Sequence, residues 1–307
     1  MMSRRAFTAG VAAAGLALSA PLSGFAGARA RPLGPLKRVV GLQLYTLREQ
    51  VAADLDGTLE MIAGLGYGEV ETAGFHGLGA GEFAERLLSH GLKSTAMHMS
   101  MTDLAADPGA AIDAALALGA DYLVCSFPGA PDPSRLGSTP REIGGAILSG
   151  RLDLDEWRWN AEQLQRIGEA ATAAGVSFAY HNHAMEFATY DGTVAFDEIL
   201  RLTDARHVQL EVDCAWVFAG GRDPAEFIRT HQSRVRLLHI KDVDPDAETF
   251  RTVPVGTGAI DWPGVFAAVD PSRLDHYYVE QEHFDQAPLE AVAESIRYLT
   301  EAGSEAA

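Results

Sequence analysis

The sequence predicts one α/β domain, a single (β/α)8 TIM barrel, on three observations. Eight short strand-like runs alternate with amphipathic stretches whose apolar residues recur at roughly 3.6-residue spacing, and no linker divides them. The 307 residues suit one barrel of about 250 residues once the ends are set aside. The segment after the first run reads QLYTLREQ and lacks the GxGxxG turn that an open doubly wound sheet would place there.

Strands are expected over residues 39–46, 68–74, 94–100, 122–128, 176–182, 208–215, 235–242 and 277–283. Helices are expected in LDGTLEMIAGLG, GEFAERLLSHG, PGAAIDAALALGA, DEWRWNAEQLQRIGEAATAAG and PAEFIRTHQ, and from Pro288 to about Ala302. Gly66, Gly91, Gly119 and Gly175 stand where four of these should stop, because glycine accepts the left-handed backbone that ends a helix. Two connections are long: residues 129–153 after the fourth strand and 243–261 after the seventh. In a barrel both lie on the face that carries active sites, as lids or as plain surface loops.

Residues 1–30 read as a removable export segment. Arg4 and Arg5 precede an Ala/Leu/Gly run, and Ala28-Arg29-Ala30 has the small-x-small form of a cleavage site. The paired arginines followed by Phe7 predict a twin-arginine signal, a passage through the twin-arginine export machinery, and a periplasmic or secreted product. A plain secretory signal is the alternative. The net charge of −18 argues against a nucleic-acid partner, which needs a basic surface, and against stable association with an anionic membrane. Cys125 and Cys214 each sit inside a strand pattern and are expected to be buried thiols, although an oxidising compartment would permit a disulfide.

The functional signal lies at the ends of the last four strands. Each carries two polar residues two positions apart: His181 and His183, Glu211 and Asp213, His239 and Lys241, Glu280 and Glu282. Side chains at i and i+2 of a strand face the same way, so the four pairs converge at one end of the barrel. Imidazoles, carboxylates and a lysine in one place suit a metal with acid/base groups beside it. Upstream, Ser177, Ala179, Gln209, Val235, Leu237 and Tyr278 share the inward parity. Phe178, Tyr180, Leu210, Val212, Leu238, Ile240 and Val279 have the opposite parity and should pack on the helices. A one-residue slip would drive every carboxylate into the helix layer, at several kcal/mol each.

The segments GLQLYTLRE, YGEVETAGFHG, YHNHAMEF, LEVDCAWVFAGGRDP, LLHIKD, VGTGAIDWPGVF and VEQEHFD together resemble the sugar phosphate isomerase/epimerase superfamily, the xylose isomerase-like barrels, over about residues 38–300. The resemblance implies an enzyme with one divalent metal held by a residue from each of strands five to eight. The matching positions are His181, Asp213, His239 and Glu280. His181 stands where many members carry Glu, which departs from a two-glutamate acid/base scheme and softens the site. Mn²⁺, Co²⁺, Zn²⁺ and Fe²⁺ suit such a donor set, and Mg²⁺ suits it less. Trp216 replaces a histidine found in many members and would form an apolar wall.

Chemistry of that kind polarises a substrate carbonyl and acidifies the neighbouring C–H bond. Glu282, then His183, then Glu186 are the candidate bases, and Glu280 can double as ligand and base. Lys241 would neutralise a developing enolate oxygen, or pair with Glu211 or Asp242 instead. Gln43, Tyr45, Glu71 and His98 share inward parity on strands one to three and are candidates for binding hydroxyls. Trp157, Trp159, Trp216 and Phe75 are candidate stacking platforms or core residues. The absence of a phosphate loop and the acidic balance favour a neutral small molecule, an unphosphorylated sugar or keto-sugar. An isomerase or epimerase working through an enediolate is the leading expectation. A dehydratase, other lyase or hydrolase acting on a 3-keto-sugar, 3-keto-glycoside or inosose is the alternative, followed by a non-catalytic sugar-binding barrel.

Overall fold

Eight parallel strands close on themselves in the computed structural model, which describes residues 35–305. They are β1 (Gly41–Gln43), β2 (Glu69–Thr72), β3 (Lys93–Ser100), β4 (Tyr122–Phe127), β5 (Ser177–His181), β6 (Gln209–Asp213), β7 (Val235–Ile240) and β8 (His276–Val279). Each pairs with its sequence neighbours, and β8 pairs with β1 to complete the ring. Parallel neighbours require a crossover outside the sheet. The crossovers contain α1 (Leu55–Leu65), α2 (Ala80–Ser89), α3 (Pro108–Leu118), α4 (Leu154–Ala174), α5 (Ala195–Leu202), α6 (Pro224–His231) and α7 (Trp262–Ala268), and α8 (Pro288–Glu305) closes the outer layer. The export segment expected over residues 1–30 lies outside the described residues. Among the described residues no helix is long and apolar enough to cross a membrane.

Local chemistry accounts for the element ends. Gly66, Gly91, Gly119 and Gly175 all adopt positive φ, between 71° and 104°, so the four expected stops are used. Asp153 and Glu156 form a reciprocal capping box at the start of α4, and Asp54, Asp107, Asp223 and Asp261 cap four further helices.

Burial separates the two parities. Ala96, Tyr122, Val124, Ala179, Leu237 and Tyr278 fill the barrel interior as one small cluster. Phe178, Tyr180, Leu210, Val212, Leu238, Ile240 and Val279 belong to the larger core between sheet and helices. Val235 departs from the inward placement expected of it. The β6–β7 register steps from Leu210↔Val235 to Glu211↔Leu237, so Arg236 is an extra residue, and the resulting bulge turns Val235 into the outer core. A second departure is at β1, which ends at Gln43. Leu44–Leu47 turn into a 3-10 helix, and Tyr45 leaves the inward row to stand 46% exposed beneath the Arg48 guanidinium. Cys125 and Cys214 are buried free thiols. Trp157 is fully buried in the outer core and is a packing residue, while Trp159 and Phe75 are partly buried against that core.

Both long connections are tied down. Asn160 of α4 exchanges two hydrogen bonds with the backbone of Gly129, and Arg135 donates to Glu156. The 243–261 connection is organised by Asp242, whose buried carboxylate accepts from the backbone N–H groups of Val243, Gly256, Gly258 and Ile260 and from Trp262 Nε1, all at 2.9–3.1 Å. Gly258 is dictated by this closeness, since a Cβ there would lie 2.3 Å from both Asp242 Oδ1 and Val243 O. Asp242→Ala would strand five donors in a buried place. We expect it to cost about 3–5 kcal/mol, read as a lowered denaturation midpoint in urea, whereas Asp246→Ala at an exposed turn in the same connection should leave the midpoint unchanged.

Candidate metal centre

Asp213 shows how the sequence aims a ligand. It ends β6 and caps the helix Cys214–Ala219, with Oδ1 accepting from the Trp216 N–H at 2.9 Å. Oδ2 is thereby turned into the barrel mouth. The register places Asp213 beside His239 of β7, and His239 beside Tyr278 of β8, so Glu280 projects from just above. His181 ends β5 on the other side. Donor atoms of His181, Asp213, His239 and Glu280 all lie within 4.8 Å of one another, and all four side chains are buried. The four positions taken from the resemblance are therefore brought together.

A second layer lies one strand step deeper. His98 Nε2 reaches Glu211 Oε2 at 2.6 Å and Glu71 Oε2 at 3.0 Å. His181 Nδ1 faces Glu211 Oε2 at 3.0 Å, and His239 Nε2 faces Glu71 Oε2 at 2.7 Å. Gln43 Nε2 also donates to Glu71, at 2.7 Å. His181 thus gives one N–H to Glu211 and leaves its other nitrogen open toward Asp213, 4.0 Å away, whereas His239 is bonded on both sides, to Glu71 and, through Nδ1 at 2.7 Å, to Glu280. This outer hydrogen bond selects the tautomer and orientation a metal-binding histidine needs. Gln43, Glu71 and His98, expected to hold substrate hydroxyls, sit in this supporting layer, and Tyr45 stands apart from it. Glu211, to which the sequence alone assigns no ligand or catalytic role, lies in this layer and with His98, His181 and His239 forms a second group able to hold a metal. Its signal was its position, two residues before Asp213 on the same face of β6.

Charge follows contact. Burial opposes ionisation of Glu71, yet His98 and His239 outweigh it and bring the carboxyl down to about 2. Burial likewise disfavours the His98 cation, but Glu71 and Glu211 raise it to about 9. His181 is driven well below the usual histidine range by burial and by His239, so it is neutral and its Nε2 is free to coordinate. Asp213 is pushed up to about 6 by burial despite Lys241.

Lys241 pairs with neither Glu211 nor Asp242. Its Nζ lies 2.9 Å from Asp213 Oδ2, 2.8 Å from Glu280 Oε2 and 2.7 Å from Glu282 Oε1. Glu282 is the outermost of the three, its side chain 27% exposed. His183 stands at the mouth between Phe127, His181 and Trp216, held down near 3 by burial and by Lys241. Trp216 carries Phe250 of the 243–261 connection stacked on it at 3.7 Å, so the apolar wall is double. Glu186 is turned the other way. It accepts from Tyr180 Oη at 2.7 Å and from the His183 backbone N–H at 3.0 Å, fully buried on the helix side of β5.

These residues fit a divalent cation. Two imidazole nitrogens and two carboxylates are a common donor set. Asp213 Oδ2 is buried and accepts no well-directed hydrogen bond, its nearest cation being the Lys241 ammonium at 2.9 Å, so it keeps lone pairs for a divalent ion.

Two outcomes follow. Asp213→Ala and Glu280→Ala should each lower the metal retained after desalting from about one ion per chain to under a tenth of that, measured by elemental analysis. Burial raises Glu186 to about 7, so its ionisation destabilises the fold as pH climbs from the ordinary carboxyl range through 7. Glu186→Gln copies the protonated carboxyl. It should be close to neutral at pH 5 and gain stability relative to the parent by pH 8, seen as a difference in Tm that widens with pH.

Comparison with known proteins agrees with this fold. Over 204 residues, 60% of the chain, it is 28% identical to inosose dehydratase from Clostridium perfringens, and the match spans 66% of that relative's length. A sugar phosphate isomerase/epimerase from Parabacteroides distasonis superposes with a TM-score of 0.71 over 92% of this chain and 99% of its own, at 23% identity. A barrel from Mycobacterium smegmatis in complex with magnesium gives 0.63 over 88% of this chain and 97% of its own, at 17% identity. At such identities the structures share the fold. The model of the xylose isomerase-like TIM barrel family matches residues 59–302, and the chain belongs to that family.

Proposed function

We propose that this protein is a divalent-metal-dependent lyase that removes water from an unphosphorylated keto-sugar or keto-polyol, the inosose class, after taking a proton from the carbon beside its carbonyl. The carrying observation is that the acid/base groups are one-sided. Glu280, Glu282 and Lys241 come from the ends of adjacent β7 and β8, with both carboxylates within 2.8 Å of the Lys241 ammonium. Across the mouth, β5 offers His181 and His183, with no carboxylate.

Held by His181, Asp213, His239 and Glu280, a divalent cation would supply positive charge to the substrate's carbonyl and adjacent hydroxyl oxygens. Glu282, the most accessible carboxylate of the group, takes the proton. Lys241 lies beside it, within reach of the departing hydroxyl. The proton taken by Glu282 leaves again on that hydroxyl as water, so the residues end as they began. Trp216 and Phe250 keep bulk water from the reacting face. Epimerisation would instead need a proton delivered from the opposite side. His183, held near 3, stays neutral and is a poor acid for that task. The name of the Clostridium perfringens relative supports elimination as well.

Isomerisation, the leading expectation from the sequence, becomes the second reading. The same base can return the proton to the neighbouring carbon from the same side. The His-rich donor set favours Mn²⁺, Co²⁺, Zn²⁺ or Fe²⁺. The export reading of residues 1–30 is kept as part of the proposal, and it places the reaction outside the cytoplasm.

The test is incubation in D₂O with inososes, free ketoses and 3-keto-glycosides, with and without chelator. A dehydratase gives a conjugated ketone that absorbs in the ultraviolet. An isomerase gives a deuterated isomer without loss of water. Glu282→Gln should lower either rate by about 10²-fold or more. Turnover that survives complete removal of metal would overturn the proposal.

A further inference from the structure

Lys241 stands on the oxygens that a metal needs. Its Nζ is 2.9 Å from Asp213 Oδ2 and 2.8 Å from Glu280 Oε2. Asp213 Oδ2 also faces both upper imidazoles, 4.0 Å from His181 Nε2 and 3.8 Å from His239 Nδ1. Glu280 Oε2 faces His239 Nδ1 at 2.7 Å. Only 1% of the lysine side chain is exposed, so water does little to screen its charge. An ammonium and a divalent cation repel at such range and compete for the same lone pairs. The third partner differs. Glu282 Oε1, at 2.7 Å, belongs to no donor set, and its side chain is the most exposed of the three. The Trp216 ring, 5.4 Å from Nζ, lines the same outward path with a cation-accepting face.

We propose that Lys241 is a built-in counter-cation that competes with the divalent metal for Asp213 and Glu280, and that Glu282 is the acceptor onto which it withdraws when the metal enters. The proposal rests on the metal-centre reading above. It makes Lys241 and Glu282 determinants of metal affinity, with opposite signs and coupled to each other, separately from any part they take in turnover. With the ammonium in place the buried carboxylates are paired before metal arrives, so the barrel folds without depending on the ion. The cost is a weaker grip on the metal.

The experiment is calorimetric titration of Mn²⁺ into chelator-stripped protein at one pH and ionic strength, for the parent, Lys241→Met, Glu282→Gln and the double variant. Lys241→Met should bind at least tenfold tighter than the parent, and Glu282→Gln at least tenfold weaker. In the Lys241→Met background, Glu282→Gln should change the affinity by less than twofold, because no ammonium is left to receive. Lys241→Gln serves as a second variant should Lys241→Met fail to give a native near-ultraviolet circular dichroism spectrum. Unchanged or weaker binding on removal of the lysine overturns the proposal. So does an equal effect of Glu282→Gln in both backgrounds, since Glu282 would then act as a plain negative charge. No Mn²⁺ uptake by any of the four proteins overturns the metal-centre reading, and this inference with it.

Discussion

Four carboxylates, Glu71, Glu211, Asp213 and Glu280, are buried within one barrel mouth, and the rest of the site is arranged around that fact. A closed parallel sheet spends its backbone polar groups on its own ladder, so side chains must supply the compensation. His98 and His239 supply it in the deeper layer and Lys241 in the upper one. Each charge is met by a neighbour on an adjacent strand or across the ring. Uncompensated, such groups would take up protons or destabilise the fold. The same crowding of negative charge suits a divalent ion. The chemistry and the folding problem therefore share one set of residues.

Much of this was legible in the chain. Period-two parity is a strong signal wherever one face of a strand is greasy and the other is not, and β5 to β8 show it plainly. The pairs at their ends led to the mouth, and matching motifs led to four candidate ligands whose donor atoms do meet. Parity says which face a side chain takes but not how deep it sits. Parity alone assigns Glu71 and His98 to the substrate, whereas they lie a layer below, bonded to each other and to His239 and Glu211 respectively. Parity also fails where a strand ends early or gains a residue. Tyr45 lies beyond the end of β1, and Val235 lies on the far side of a bulge. Glu186 sits past β5 in a 3-10 turn, where strand alternation has no meaning. Phe250 sits in a connection without any period, and nothing local to it announces the stack on Trp216.

The functional reading gains from the asymmetry of the mouth. Ionisable groups suited to proton transfer lie on β7 and β8, while the aromatic and imidazole surface comes from β5, the start of the Cys214–Ala219 helix and the 243–261 connection. A substrate held between them would present one face to carboxylates and the other to rings. That division favours reactions in which a single proton leaves and returns on one side.

Asp242 follows Lys241 directly in the chain, yet it serves a different master. Its carboxylate gathers both feet of the connection that carries Phe250, while residues 244–251 project beyond that knot. The span between the feet is consequently set apart from the strands beneath it. Apart from Phe250, which is committed to Trp216, its letters could change in size without disturbing the Asp242 knot or the barrel floor, so the roof and the floor of the mouth are free to diverge separately.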